Sequence, residues 1–233
     1  MIRILALATV SAIPGWPLRR TLYRMLFGYR FGKGARIAML SIVDAKKLVM
    51  AEGAKIRGVG NVIISLHELD MGPYATIGGP RFGGNRVRGT ANKPSRPHAA
   101  LRLGPCAIVE LDHYFDVCAD VDLGPNVVVA GLGTVFFTHT FHRPEFEPIH
   151  IGRDVLIGSN CRFQMGTSVA DGCVVGMGAV VVKPLGTSGA LLGGVPAKVI
   201  SDNAEYEAAA AFKLRRRPYF DGERIVQPPA QQG

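Results

Sequence analysis

The side chains best suited to proton transfer in this sequence are two histidines with carboxylates close by in the chain. His139 lies in the segment FFTHTFHRPEFEPIH together with Glu145 and Glu147, and His113 lies in LDHYFD together with Asp116. An imidazole titrates near neutral pH, so it can remove the proton of a hydroxyl group that attacks an electrophile. The spacing does not select which of the three carboxylates would orient an imidazole.

The cysteines form neither a disulfide framework nor a metal-binding pattern. There is no CxxC and no Cys/His spacing of the zinc-site kind, so we expect no metal. We interpret the four cysteines as small buried residues in a reducing compartment. They are Cys106, Cys118, Cys161 and Cys173.

The composition excludes several classes of protein. The 233 residues are 48% hydrophobic and 19% charged, which is too apolar for a disordered chain. The 29 glycines follow no G-X-Y period, so the chain is not collagen-like and a turn-rich fold is favoured. The net charge of +9 suits an anionic partner, such as nucleic acid, a membrane surface or a phosphorylated ligand, without choosing among them.

An internal repeat of six residues is the main structural signal. A second, looser copy of the repeat begins at Phe31 and slips its phase near Ile56 and Leu69. The strong copy places an apolar residue at every sixth position, with one break. These positions are Leu103, Val109, Phe115, Val121 and Val127, then Ile151, Ile157, Phe163, Val169, Val175 and Val181.

A six-residue period fits neither an amphipathic helix nor a long alternating strand. Six residues can form one short strand and a corner, so three such units make a triangular coil of eighteen residues. Strands of successive coils then pair in parallel, about 4.8 Å apart. The period therefore predicts an all-β chain whose residues 31–200 form a parallel β-solenoid, with contacts between neighbouring coils.

Two segments break the period, and we expect both to protrude from the solenoid as loops. Residues 78–100 include Arg81, Arg88, Lys93 and Arg96 but no acid. This segment is either a solvated loop or a clamp on an anionic or sugar-rich ligand. The second segment, residues 133–150, contains His139, and this interruption of a regular repeat favours a functional role for that histidine.

The two ends of the chain have a different character from the repeat. Residues 1–30 contain two amphipathic helical pieces, Ile4–Val10 and Leu18–Phe27, which we expect to cover the first coil. Contact of their arginines with an anionic membrane surface is the alternative. Residues 201–225 predict a helix that caps the solenoid or packs on a neighbouring subunit, and residues 226–233 predict a disordered tail.

The run IGRDVLIGSNCRFQMGTSVADGCVVGMGAVVVKP, followed by GGVPAKVI, resembles the hexapeptide-repeat acyltransferases. It is most similar to their maltose/galactoside O-acetyltransferase type and to the sugar acetyltransferases of bacterial polysaccharide clusters. The strong match covers Leu103–Ile200, and the first half of the chain matches only in its period. The resemblance, rather than the period, implies that the parallel β-helix is left-handed.

The resemblance also implies a reaction. Members of this family transfer an acetyl group directly from acetyl-CoA to a hydroxyl group, with a histidine as general base. His139 lies where the family places that histidine, in a Thr-His segment ahead of the IG-x-x-VxIG run, and His113 resembles a second histidine of the polysaccharide branch. His142 is either an orienting neighbour of His139 or an exposed residue. We therefore expect an acetyl-CoA-dependent O-acetyltransferase that acts on a sugar of a surface polysaccharide or its precursor.

The acetyl-CoA site implied by the family is a groove between the subunits of a homotrimer. The sequence departs from the family at Leu156, where Trp is common, and at Ala179, where Ser is common, and this puts details of the groove in doubt. The positions carried over from the family are Ser159, Met177, Val182, Lys183 and Lys198.

Other functions are open at this point. N-acetylation of a nucleotide-linked amino sugar would use the same base, and a non-catalytic solenoid scaffold would need none. A zinc enzyme of the γ-carbonic anhydrase kind requires three histidine ligands, for which no matching set is present. Nucleic acid is not expected, because no aromatic stacking platform accompanies the basic residues. We expect a cytoplasmic protein, with peripheral contact to the inner membrane face as the alternative.

Overall fold

A computed structural model describes residues 2–79, 84–93, 98–140, 145–204, 206, 211–212 and 217–228. Two helices precede a long series of short strands. The helices are α1 (Ile2–Ala12) and α2 (Trp16–Phe27). The strands are β1 (Arg30–Phe31), β2 (Arg36–Ile37), β3 (Ile42–Met50), β4 (Lys55–Ile56), β5 (Val62–Met71), β6 (Thr76–Ile77), β7 (Arg86–Gly89), β8 (Ala100–Leu103), β9 (Ile108–Val109), β10 (Tyr114–Val117), β11 (Val121–Leu123), β12 (Val128–Val129), β13 (Val135–Phe137), β14 (Ile149–Ile151), β15 (Leu156–Ile157), β16 (Arg162–Phe163), β17 (Ser168–Val169), β18 (Val174–Val175), β19 (Val180–Val181), β20 (Leu191–Gly194), β21 (Ala197–Ser201), β22 (Tyr219–Phe220) and β23 (Ile225–Val226).

Apart from the antiparallel pairs β20–β21 and β22–β23, the strands pair in parallel with strands from the next turn of the chain, which makes the fold a parallel β-solenoid. A 12-stranded sheet contains two faces of the coil, and a 9-stranded sheet is the third face. The two faces of the larger sheet join at β5, because Val62–Ile64 pair with β7 whereas Glu68–Met71 pair with β8. The mostly β, parallel architecture predicted from the six-residue period is confirmed.

The coils between β14 and β19 have the predicted length. Ile151 lies opposite Val169, and Phe163 lies opposite Val181, so one coil takes eighteen residues in this region. The corners repeat as well as the strands. Gly166, Gly172 and Gly178 all have a φ of 70–74°, a backbone conformation in which a side chain would be strained.

The coils between β7 and β13 are wider than predicted. Leu123, not Val121, lies opposite Leu103, so this coil takes twenty residues. Val121 instead lies opposite Leu101, and both are completely buried. The strict six-residue phase across Leu103–Val127 was therefore wrong after Phe115, because β10 is four residues long and extends the coil before the next corner.

The interior of the solenoid is filled by columns of inward-facing side chains, one from each coil. The column formed by Phe115, Phe136 and Phe163 is the bulkiest part of this core. Its rings stack with centroids 4.5 and 4.7 Å apart and planes within 6° of parallel. All three side chains are at most 1% exposed, so each anchors its coil to the next.

The two segments predicted as protruding loops are shorter than expected. Within residues 78–100, Arg86–Gly89 form β7, which pairs with β5 and β10 as a regular strand of the solenoid. Within residues 133–150, β13 and the start of β14 also belong to the sheet. These strands are three or four residues long, and their side chains alternate between buried and exposed. Such a short strand can form without an apolar residue at every sixth position, so the six-residue period did not predict these strands.

The helices at the start of the chain lie where the sequence predicts helical pieces. Their inner face is buried, with Leu7 and Tyr23 at 0% exposure. Arg3 of α1 binds Asp44 of β3 through an Nε–Oδ1 contact of 2.7 Å. The outer face, by contrast, leaves Ile2 at 84% and Met25 at 77% exposure. No helix in the described part of the chain is long and apolar enough to cross a membrane.

Most of the helix predicted within residues 201–225 lies outside the described residues, and the described Ala211 and Phe212 are helical. After it, Tyr219–Phe220 and Ile225–Val226 form an antiparallel pair. This segment packs along the outer surface of the smaller sheet, where Phe212 covers Ile108 and Val128. Apolar side chains on the outside of this face explain the contact, since water would otherwise cover them. Of the predicted tail, residues 229–233 lie outside the described residues.

Candidate active site

A cleft of about 460 Å³ opens on the face of the solenoid formed by β7, β10 and β13. Three strand residues in register form its floor, because Arg88 lies opposite Asp116, which lies opposite Phe137. The segment after β13 forms one wall. The residues that line the cleft are Ser65, Arg88, Gly89, Thr90, Asn92, Lys93, Tyr114, Asp116, Cys118, Phe137, His139 and Phe146.

His139 and Asp116 form an imidazole–carboxylate pair inside this cleft. Nδ1 of His139 lies 3.3 Å from Oδ2 of Asp116, and the two side chains are 17% and 12% exposed. A carboxylate that faces Nδ1 favours the tautomer with its proton on that nitrogen. Nε2 then carries the lone pair and can accept a proton.

The chain holds His139 at this place through the preceding residue. The hydroxyl of Thr138 donates to the carbonyl of Asp116 at 2.7 Å and accepts the backbone N–H groups of Cys118 and Ala119 at 2.8 and 3.0 Å. One buried hydroxyl group thus fastens the wall of the cleft to the end of β10. On the other side of this wall, a β-bridge joins His139 to Phe146.

The structure selects Asp116 among the three candidate carboxylates. Glu145 and Glu147 are both exposed, and neither lines the cleft. Asp116 is 9% exposed and points into the cleft because its side chain alternates with the inward-facing Phe115. His142 lies outside the described residues.

Cys118 adds a thiol to this pair. Its Sγ–H donates to Oδ1 of Asp116 at 3.3 Å. One ligand atom each of Asp116, Cys118 and His139 lie within 4.8 Å of one another, and O, S and N donors are chemically suited to zinc. The thiol–carboxylate hydrogen bond and the contact of Asp116 with His139 hold the three side chains together.

The interpretation of the cysteines as buried structural residues fits the other three. Burial raises the pKa of the Cys106 thiol to about 12 and also raises the pKa values of Cys161 and Cys173. Thiols with raised pKa values are poor nucleophiles and poor metal ligands. Cys118 is free and buried as well, but it also lines the cleft, and its place two residues after Asp116, directly past the end of β10, was the signal that could have found it.

The second predicted catalytic histidine, His113, is not brought into the cleft. Its side chain is 1% exposed, and its Nδ1 accepts the backbone N–H of Thr134 at 3.1 Å. Burial lowers the pKa of His113 to about 4, so the imidazole is neutral near pH 7. This buried imidazole fixes the next coil and does not line the cleft, which favours a structural role; the predicted catalytic role of His113 stays a prediction.

The residues predicted to bind CoA lie outside the cleft. Ser159 and Met177 occupy one corner on successive coils, and the backbone N–H next to Met177, that of Gly178, donates to the Ser159 carbonyl at 3.0 Å. Val182 and Lys183 follow β19 and are exposed, as is Lys198 on β21. Met177, Val182, Lys183 and Lys198 lie exposed on the surface of the single chain.

Leu156, the position where the family often has Trp, lies beneath the end of the chain. It is partly buried and packs in the cluster that contains Phe212 and Val128. The cavity left beside these residues has a volume of about 80 Å³, which is too small for a cofactor. This surface is therefore occupied by the chain itself.

Sequence reasoning missed most of the wall opposite His139. Tyr114 and Phe137 form an aromatic pair with ring centroids 6.1 Å apart. Burial raises the pKa of Tyr114, the charge of Asp116 acts in the same direction, and the charge of Arg88 opposes them. Arg88 and Lys93 were noted only as members of a basic segment, because the sequence does not show that β7 lies beside β10.

The arrangement defines a class: a parallel β-solenoid with a proton-transfer pair in a cleft on one face. Residues 148–183 match the hexapeptide repeat of succinyl-transferase. The 2,3,4,5-tetrahydropyridine-2,6-dicarboxylate N-acetyltransferase of Staphylococcus aureus (strain JH9) is 34% identical over 88 residues, which are 38% of this chain and 33% of that protein. The repeat region is therefore similar to hexapeptide-repeat acetyltransferases, and residues 148–183 carry the hexapeptide repeat that the sequence predicts.

The chain spans about a third of the length of the curated relatives it matches. Two solved structures are similar to it over more of the chain. A hexapeptide-repeat acetyltransferase from Vibrio cholerae O1 biovar eltor, in complex with acetyl coenzyme A, is 18% identical, with 85% of this chain and 84% of that chain covered and a TM-score of 0.48. A maltose O-acetyltransferase from Clostridium difficile 630 is 16% identical, with 84% and 82% covered and a TM-score of 0.46.

Proposed function

We propose that this protein is an acetyl-CoA-dependent O-acetyltransferase whose acceptor is a sugar hydroxyl of a bacterial surface polysaccharide or its precursor. The observation that carries the proposal is the His139–Asp116 pair at 3.3 Å in a cleft beside the hexapeptide repeat. The acetyltransferase match of the repeat region supplies the reaction class.

His139 acts as general base in this reaction. Its Nε2 takes the proton of the sugar hydroxyl as the hydroxyl oxygen attacks the thioester carbonyl, and Asp116 stabilises the imidazolium that forms. The imidazolium then returns the proton to the CoA sulfur as the carbon–sulfur bond breaks. Acetyl-CoA supplies an activated acyl group, so no nucleophile of the enzyme is needed.

The acetyl-CoA site is the outer surface that begins at the corner of Ser159 and Met177. Met177 is 78% exposed and Val182 is 42% exposed, which suits apolar contact with a pantetheine chain or a second subunit. Lys183 and Lys198 are exposed cations that suit phosphate groups. We place this site in a groove between copies of a homotrimer, since one chain alone leaves these residues on an open surface.

The hand of the coil, the roles of its ends and the location of the protein are parts of the same proposal. We expect a left-handed helix with α1 and α2 as its cap. The outer face of that cap exposes Ile2, and it exposes Met25 beside Arg24, which favours a cytoplasmic protein with peripheral contact to anionic lipid. Sedimentation velocity, alone and with anionic vesicles, measures both assembly and lipid contact.

The experiment that tests the function measures CoA release from acetyl-CoA with a panel of sugars, amino sugars and nucleotide sugars. Wild-type protein is compared with His139→Ala, which should lose turnover by about 10²–10⁴-fold and keep CoA binding. His150→Ala is the matched control. His150 also faces a carboxylate, that of Asp122 at 3.0 Å, but it lies outside the cleft.

Each outcome discriminates between functions. Turnover with sugars but not amino sugars supports O-acetylation, and the reverse supports the N-acetyltransferase. Equal turnover of wild type and His139→Ala removes His139 from the mechanism. A protein that binds no CoA is a solenoid scaffold, and stoichiometric zinc in an active protein would replace the base mechanism by a metal mechanism.

A further inference from the structure

The cleft that contains His139 has an excess of positive charge. Arg88 and Lys93 line it, and Asp116 is the single acidic residue in its lining. Both cations are exposed. Among the described residues, neither of them forms an ion pair with a carboxylate. Asp116 offsets one of these two positive charges, so the lining keeps an excess of positive charge.

The two cations are built into the strand and turn that face the base. Arg88 is on β7, and its register partner on β10 is Asp116, so the guanidinium side chain starts one strand away from the carboxylate of the pair. Lys93 follows in a turn closed by its backbone N–H, which donates to the Thr90 carbonyl at 2.8 Å. The positive charge therefore lies beside the place where a hydroxyl group would meet His139.

The rest of the lining suits a saccharide. Ser65, Thr90 and Asn92 offer hydroxyl and amide groups, and the amide of Asn92 already donates to the Ser65 hydroxyl at 2.7 Å. On the opposite side, Phe137 is 36% exposed and forms an aromatic pair with Tyr114. Polar groups on one wall and an exposed ring on the other match the two kinds of surface that a sugar ring presents.

We propose that the acceptor is an anionic saccharide, whose oxyanion is bound by Arg88 and Lys93 while a hydroxyl group of the same saccharide is presented to His139. This inference rests on the proposed transferase activity and specifies its substrate class. A planar guanidinium binds a carboxylate or phosphate through two parallel hydrogen bonds, whereas the lysine acts as a mobile point charge. The oxyanion can be the carboxylate of a sugar acid or the phosphate of a phosphorylated sugar.

The experiment compares matched neutral and charged acceptors. Methyl hexosides, the corresponding methyl hexuronides and hexose phosphates, in gluco, galacto and manno configurations, are assayed for CoA release at low and high salt. We expect a higher kcat/KM for one charged series, and this preference should shrink at high salt because the charges are exposed to solvent. Preference for the uronides identifies a carboxylate, and preference for the phosphates identifies a phosphate.

Single substitutions of arginine then test which residue recognises the charge of the acceptor. Arg88→Gln should lower kcat/KM for the charged acceptor by about 10–150-fold, the effect of losing a hydrogen bond to a charged group. Its KM for acetyl-CoA should not change. Arg86→Gln is the matched control, because Arg86 is an exposed arginine on the same strand that does not line the cleft.

Three results would overturn the inference. The first is equal kcat/KM for neutral and charged acceptors. The second is an Arg88→Gln variant whose KM rises for acetyl-CoA rather than for the acceptor, which would assign the arginine to the CoA phosphates. The third is an equal effect of Arg86→Gln and Arg88→Gln, which would indicate general surface charge.

A binding measurement separates this inference from the proposed activity. Saturation-transfer NMR of the same hexosides, uronides and sugar phosphates is recorded with wild type and with Arg88→Gln. If no acceptor turns over but the wild type binds the charged series selectively, the transferase proposal fails and the anionic site stands. If the wild type binds neither series, or both equally, the anionic site fails whatever the activity.

Discussion

The narrow coils from β14 to β19 and the wide coils from β7 to β13 differ in what they contribute. In the narrow coils each eighteen-residue turn repeats the last one, and the outward positions include the small or aliphatic Ser168, Val174 and Val180. In the wide coils the outward positions include Arg88, Asp116 and Phe137, which form the floor of the cleft. The narrow coils thus form a regular, rigid stack, whereas the wide coils carry the side chains of the candidate active site.

The aromatic column joins the two regions and gives the largest expected effect on stability. Phe136→Ala should lower the free energy of unfolding by about 3–5 kcal/mol, because it leaves a cavity between Phe115 and Phe163. Thermal or urea unfolding measures this. The adjacent Phe137→Ala is the control, since its ring is 36% exposed and its loss, including the aromatic pair with Tyr114, should cost clearly less than loss of the buried ring. Equal losses would mean that the column does not couple the coils.

Replacement of Asp116, the carboxylate in the wide coils, should have the next largest effect, and this effect is on activity. Asp116→Asn should lower kcat by about 10²-fold, the low end of the range for loss of general-base catalysis, because an amide neither fixes the Nδ1 tautomer nor stabilises the imidazolium. The variant's pH–rate profile should also shift.

Asp122→Asn is the matched control for that variant. Asp122 pairs with His150 at 3.0 Å, on strands of another face and outside the cleft. Its kcat should equal that of the wild type. A kcat for Asp116→Asn as high as that of this control would show that another group orients His139.

His113 gives the smallest effect, a pH dependence of stability. Its folded pKa of about 4 lies below the unfolded value near 6.5, so between these values the unfolded chain binds more protons and stability falls as the pH falls. We expect a loss of about 2 kcal/mol between pH 7 and pH 5 from this group. Urea unfolding of wild type and His113→Gln at both pH values measures it. A variant with the same pH dependence as the wild type would show that His113 charges without penalty.

Several elements were predictable because they depend on local periodicity. The inward residues Ile157, Phe163 and Val175 are predicted by the six-residue period and are fully buried. The free, buried Cys161 and Cys173 also follow, because their spacing of twelve residues puts them on different faces. His139 was identifiable since it interrupts this regular pattern.

Other elements could not be predicted because they depend on how many residues each coil takes. A change from eighteen to twenty residues moves each outward side chain against a new neighbour on the adjacent coil, although the inward positions stay apolar. Because the coil lengths were not known from the sequence, the burial of His113 and the contact of Phe212 with the smaller sheet could not be predicted either.

The amino-acid sequence by itself determined the solenoid and its parallel pairing, and it singled out His139 as the candidate base. These follow from short-range patterns, in which apolar and small residues recur at fixed intervals. The tertiary structure decided that Asp116 supports the imidazole and that Arg88 and Lys93 face it. Arg88 and Lys93 precede Asp116 by more than twenty positions, and Asp116 precedes His139 by more than twenty; they meet through strand register, which depends on the length of every coil between them.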